Sequence, residues 1–433
     1  MTLTAIAIIG IVALMALMAI RVPISFGMLL VGLLGIAYVR DMDAALQITA
    51  GDLWGTFSSY TLTAIPTFVF MGNIAFKSGL SERLYSAANR WVGHLPGGLA
   101  GTTVLASAGF GAICGSGIAA TATMGTVALP EMKKYKYSPA FSSGIVAVAG
   151  TLGVIIPPSL IMIIVAVTVG ESVGKLFLAG IVPGVLLMLM LLALVVFMCW
   201  RNPELGPPAA RSSWADRFRS LNGVGETALL FALVLGGIYL GWFTPTEAGA
   251  AGAFGALVIA VVKRDIGWQG LKDAVIDTAR ISAMVMLLIA AGVVFGKFMA
   301  VTRLPFAVVE WVEQLAVPAF FVLLLMIGIY VVGGMLMDSV AFLVVSLPIF
   351  FPVAMSLGYD PIWFLLLITV VTSLGAVTPP VGVGVFVVGG LVPDVPISKI
   401  FRGVNVFLTT YAVLIAVMIA FPGLFLFILR FST

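Results

Sequence analysis

The stretches LGVIIPPS (Leu152–Ser159) and LGAVTPPVG (Leu374–Gly382) decide the fold. Each places Leu-Gly, three further residues and Pro-Pro inside an apolar run. Proline removes a backbone donor and clashes with the preceding turn, and glycine contributes no packing side chain, so an unbroken helix through either stretch is disfavoured. In lipid a broken helix strands amides and carbonyls unless protein, water or an ion satisfies them. Two such breaks in corresponding places of two halves point to a transporter's binding site.

The rest of the chain fits a membrane setting. Of 433 residues 61% are hydrophobic and 9% charged, and the mean hydropathy is +1.20. Soluble domains carry about 25% charged residues. At about 20 residues per span there is room for roughly a dozen membrane segments, some of them re-entrant. The net charge of +4 reflects cytoplasmic Lys and Arg. No basic run combines with aromatic residues, so nucleic acid is excluded as a partner. Cys114 and Cys199 lie in apolar surroundings and read as small buried hydrophobes, and His94 reads as a loop or interfacial residue. Met1–Ile20 carries no Lys or Arg before its apolar run, so it reads as a first membrane helix with Arg21 inside, not as a signal peptide.

A shift of 222 residues carries Pro157 onto Pro379, Gly153 onto Gly375, Pro139 onto Pro361, Pro130 onto Pro352 and Pro23 onto Pro245. Such matches over so long a distance indicate a structural repeat. The same shift places Lys133, Lys134 and Lys136 onto the uncharged Met355, Ser356 and Gly358. Basic loops lie inside, so the two turns fall on opposite sides and the second half is inverted. The expected fold is an all-α polytopic membrane protein with an inverted-topology repeat.

Residues 1–200 form the first repeat, with scaffold helices in 1–60, a re-entrant helical hairpin over 97–131 and a broken helix over 139–169. The polar, arginine-bearing stretch 201–223 reads as a cytoplasmic linker. Residues 224–433 form the second repeat, with scaffold in 224–280, a hairpin over 318–353, a broken helix over 361–388 and a C-terminal helix over 401–429. Asp41–Ser58 and Trp268–Thr278 read as interfacial amphipathic arms, the second followed by a separate span over Ser282–Met299.

Hairpin tips and breaks are expected to meet near the midplane. The first cation site comprises Gly115, Ser116 and Gly117 at one tip with Gly153, Ile156 and Pro157 at its break. The second comprises Gly334, Met337, Asp338 and Ser339 with Gly375, Thr378 and Pro379. These positions offer carbonyls and hydroxyls, neutral oxygens that suit Na⁺ better than a transition metal. The half-helix N-termini at the tips direct partial positive charge at an anion, with Ser116, Thr121, Thr151, Ser339, Ser373 and Thr378 as substrate-binding candidates. Asp338 is an acid deep in the membrane, a functional position by default, and its repeat mate is Ser116. Ala119, Ala120 and Ala122 read as helix-packing residues, Glu247 as a residue at a helix start, and Asn73 and Lys297 as interfacial.

GSGIAATATMG followed by LPEM, LGVIIPPS, FTPTEAG, MDSVAFLVVSLPIFFP and LGAVTPPVGVGVF together resemble the large membrane subunit of TRAP (tripartite ATP-independent periplasmic) transporters, as does IPTFVFMGNIA at Ile65–Ala75. The resemblance spans nearly the whole chain. It implies a Na⁺-driven, elevator-type importer in the bacterial inner membrane and no enzyme activity. It implies two partners, a small four-helix membrane subunit and a periplasmic substrate-binding protein, and a carboxylate substrate such as a C4-dicarboxylate or a sialic or sugar acid. A stand-alone divalent-anion/Na⁺ symporter of the same superfamily is the alternative; those typically place Ser-Asn-Thr at the tips, where this chain has Gly-Ser-Gly and Asp-Ser. An intramembrane enzyme would need a catalytic dyad, and no His or Lys is placed to assist Asp338.

Overall fold

A computed structural model describes residues 1–314 and 317–431, and every regular element among them is helical. Local sequence sets many of the helix starts. Asp41, Ser116, Ser159, Ser172, Ser213, Thr244, Asp338 and Asp360 each cap a helix with a side-chain oxygen, and Pro139, Pro245 and Pro361 occupy first turns. Glu247 completes a capping box with Thr244, which gives it a structural role.

Among the described residues six helices are long and apolar enough to cross a membrane, or eight if two bent pairs each count as one span. Fewer pass than a dozen because several apolar helices are short: Leu3–Ala19, Ile24–Val39, Gly98–Cys114 and Pro361–Gly375 have 15 to 17 residues. At 1.5 Å per residue such helices reach only about 22–26 Å.

Helix bounds recur at the 222-residue shift. Gly117–Lys134 maps onto Ser339–Ser356 at both ends, and Leu160–Val169 onto Val383–Leu391 within a residue at its start. Two expectations need correction. In the first half the arm Met42–Phe57 is, as expected, separated by a short 3₁₀ turn from the next helix, Ala64–Lys77. In the second half arm and span form one 34-residue helix, Trp268–Val301: where the first half breaks at Ser58, Ser59 and Thr61, the second has Arg280, Ile281 and Ala283, residues that compete less with the helix backbone. The C-terminal helix runs Ile397–Ala420 and stops before Pro422, whose ring cannot continue it.

The linker stretch 201–223 is partly helical. Helix Trp214–Phe231 begins within it. The segment before that helix is held by the rest of the chain: Gly97 N donates to Gly206 O at 3.0 Å, Ser138 N to Leu205 O at 3.1 Å and Ala209 N to Gly93 O at 2.8 Å. His94 lies beside it, its Nδ1 3.3 Å from an Arg217 guanidinium nitrogen.

Burial is nearly continuous where the hairpins and broken helices pack. Every residue from Phe141 to Gly150 is buried, as is nearly all of Gly98–Cys114. Cys114 and Cys199 are both free and buried. Asn73, expected at an interface, instead donates to Thr278 Oγ1 at 2.9 Å and joins Ala64–Lys77 to the long second-half helix.

One end gathers basic residues into an ionic cluster. Arg83, on the connecting helix Leu80–Val92, pairs with Glu226 at 3.1 Å and Asp265 at 2.9 Å, and Lys263 also pairs with Glu226. The Glu226 side chain is only 9% exposed, against 26% for Asp265. Removing a buried partner leaves desolvated charge behind. Glu226→Ala should therefore destabilise by about 1–3 kcal/mol, more than Asp265→Ala, as read by thermal melting of the detergent-solubilised protein.

Candidate functional site

Each hairpin tip lies against the break of the same half. The first arm, Gly98–Cys114, ends on Gly115 in the left-handed region at φ +61°, and Ser116 starts the return arm Gly117–Lys134. Gly115 O accepts from Leu160 N at 3.1 Å, so the tip satisfies an amide that the first break exposes. A methyl group on Gly111 would come within 2.6 Å of Gly153 Cα, and one on Gly115 within 2.8 Å of Pro158 O. The backbones cross where only glycine fits.

The second half repeats the crossing. A methyl group on Gly334 would lie 2.7 Å from Thr372 O, and one on Gly375 2.7 Å from Val331 O and 2.8 Å from Gly334 Cα. Ser339 Oγ donates to Thr372 O at 3.5 Å. Pro157-Pro158 and Pro379-Pro380 both adopt the cis form. The first broken helix bends by 44° between Pro139–Ile155 and Leu160–Val169. In the second, residues 376–382 separate Pro361–Gly375 from Val383–Leu391.

A cavity of about 480 Å³ opens between these elements and two other helices. Gly115, Ser116, Gly117 and Thr121 line it from the first hairpin, Asp338 and Ser339 from the second, and Thr151 and Ser373 from the broken helices. Pro23, Ile24 and Ser25 form part of the facing wall, with Ile281, Met284, Val285 and Leu288 of Trp268–Val301. No Lys or Arg lines it among the described residues.

The other expected site residues lie behind this lining. Gly153, Gly334 and Gly375 make the crossings. Ile156 packs against Gly184 of Val173–Arg201, and Pro157 is buried at the break. Met337 is extended, unlike its repeat mate Gly115. Pro379 stands in the second break outside the lining, and Thr378 turns its hydroxyl back to Leu374 O at 2.7 Å. That bond uses the one proton of Thr378, so its hydroxyl has only lone pairs to offer a ligand.

Asp338 is exposed to the cavity. One carboxylate oxygen, Oδ1, accepts from Val340 N at 3.0 Å and Ala341 N at 3.3 Å, capping the return arm. Asp338 is thus a helix cap as well as the one acidic group on the cavity wall among the described residues. The residue that sequence reasoning missed is Tyr411, whose buried hydroxyl contacts Thr151 Oγ1. Its only sequence signal is a lone phenol in an apolar helix, which packing explains equally well.

These features define a multi-span, all-helical membrane protein whose two backbone crossings enclose a cavity of ligand size. Residues 11–424 match the family described as tripartite ATP-independent periplasmic transporter, DctM component, and the chain belongs to that family of transporters. It is 36% identical over 372 residues to a C4-dicarboxylate TRAP transporter large permease protein of Pseudomonas aeruginosa, covering 86% of each chain. It is 30% identical to a sialic acid TRAP transporter large permease protein of Vibrio cholerae, covering 92% of this chain and 93% of that one. The fold is similar to that of the Alcanivorax borkumensis YdaH transporter, with a TM-score of 0.65 at 17% identity over 89% of this chain and 91% of that one.

The crossings set a steric test. Gly375→Ala should cost about 1–3 kcal/mol, lowering the melting temperature in detergent. Gly328→Ala, in the interior of Ala319–Leu336 where a methyl group meets nothing within 4 Å, should not lower it and should raise it slightly through helix propensity.

Proposed function

We propose that the chain is the large membrane subunit of a Na⁺-coupled, binding-protein-dependent importer of small organic anions in the bacterial inner membrane. The observation that carries this reading is the convergence of two glycine crossings and two capped half-helix starts on one cavity. The carbonyls and hydroxyls at each crossing suit Na⁺, and the starts of Gly117–Lys134 and Ser339–Ser356 favour an anion beside it. The relatives' names put carboxylates, either C4-dicarboxylates or sialic acid, first among candidate cargoes. A small four-helix subunit and a periplasmic binding protein are its expected partners. The stand-alone symporter alternative loses ground to a family match that spans 11–424.

An inverted repeat is supported by the charged ends. Asp394 follows the second broken helix and pairs with Lys133 at 3.6 Å, on the end that holds the linker. The corresponding segment after the first broken helix brings Gly174 against Ile238 and Pro245 instead. The cavity's two walls suit an elevator. Hairpins and broken helices form one block, and helices beginning at Ile24 and Trp268 form the wall it moves past. In this mechanism Ser116 and Ser339 bind cargo at the tips, Asp338 supplies negative charge that Na⁺ offsets, and closure of both tips licenses crossing.

The test is uptake into proteoliposomes containing both membrane subunits, with binding protein added outside. Uptake should require external Na⁺. Asp338→Asn, which keeps an oxygen for the cap, should fold normally yet lose most Na⁺-dependent uptake, whereas Asp338→Ala should also lose stability. Undiminished uptake in K⁺ buffer would contradict ion coupling.

A further inference from the structure

Thr151 and Ser373 are repeat mates, one on each broken helix, and both line the cavity. A single side chain lies behind both. Tyr411, on the C-terminal helix Ile397–Ala420, is fully buried; its hydroxyl contacts Thr151 Oγ1, and Ser373 is the second hydroxyl it faces. Thr151 already donates its proton to Val148 O, and Ser373 donates to Val370 O. Both therefore have only lone pairs left, so Tyr411 is the donor. It has one proton and two acceptors, one from each half.

Packing alone does not account for this arrangement. The interior already holds Phe407 and Phe364, and a phenylalanine would fill the same space without bringing a hydroxyl out of water. Nor does the repeat require it. The residue 222 positions earlier is Leu189, 52% exposed on the outer face of Val173–Arg201. The tyrosine is a feature of one half that acts on both.

We propose that Tyr411 is a positioning residue that ties the two broken helices together, its single proton making the two cation crossings interdependent. When the hydroxyl bonds Thr151, the first break is held and Ser373 is left free; when it swings to Ser373, the reverse holds. Filling one crossing then sets the geometry offered at the other. The inference rests on the Na⁺ reading proposed above, and the experiment separates the two.

The experiment is a Na⁺ titration of uptake in the reconstituted two-subunit complex with binding protein. Wild type should show a Hill coefficient above 1. Tyr411→Phe should raise the half-saturating Na⁺ about fivefold, the loss of one buried hydrogen bond. Its Hill coefficient should fall toward 1, with its melting temperature in Na⁺-free choline buffer little changed. A Tyr411→Phe titration that superimposes on a Na⁺-dependent wild type overturns the positioning role and leaves the Na⁺ reading standing. A wild type indifferent to Na⁺ overturns both. Should Tyr411→Phe fail to fold, Thr151→Val and Ser373→Ala serve instead. Singles whose effects on half-saturation multiply in the double variant overturn the coupling, and a double variant no worse than the stronger single supports it.

Discussion

Where a hairpin tip meets a broken helix, two backbones approach so closely that a single added methyl group would overlap them. Gly111 against Gly153 and Gly334 against Gly375 mark these points. The approach answers a problem that the double prolines create. A helix broken inside a membrane exposes amides and carbonyls that lipid cannot satisfy. The tip supplies partners directly, as Gly115 O does for Leu160 N, and Ser116 O, which lies over Gly153, accepts from Ala120 N at 2.9 Å. Everything proposed about ions and anions follows from polar backbone held open in an otherwise apolar interior.

The two halves use this device unequally. The first tip turns through left-handed Gly115 and is capped by a neutral serine; the second passes through extended Met337 and is capped by Asp338. Arg83 anchors the first connecting helix in an ionic cluster, and its repeat mate is Pro305, which can anchor nothing electrostatically. Tyr411 contacts Thr151 on the first broken helix and faces Ser373 on the second, while its repeat mate Leu189 is exposed. In the importer proposed above, which must bind from one side and release to the other, unequal halves would give the two ends of the cycle different energies.

Much of this was legible in the sequence because proline and glycine act locally. Pro157 and Pro379 disclosed the breaks, and the 222-residue shift relates the helix bounds of the two return arms, each of which runs three residues past the expected hairpin end. What was not legible depends on register and on long-range contact. Gly153 and Gly375 differ by 222, but their crossing partners Gly111 and Gly334 differ by 223, since Gly333 is taken up by the Phe342 ring. No periodicity reveals such a slip. The direction of the Thr378 hydroxyl, the Asn73–Thr278 link and the reach of Tyr411 to Thr151 are set by tertiary packing. The fusion of second arm and span was missed because composition marks an amphipathic face but not whether the helix continues past it.

The most direct measurement is high-resolution electron microscopy of the two-subunit complex in Na⁺ and in choline. The account predicts discrete density at both glycine crossings in Na⁺, contacted by tip and break oxygens together, and its disappearance in choline. Identical maps in the two salts, with neither crossing occupied, would contradict it.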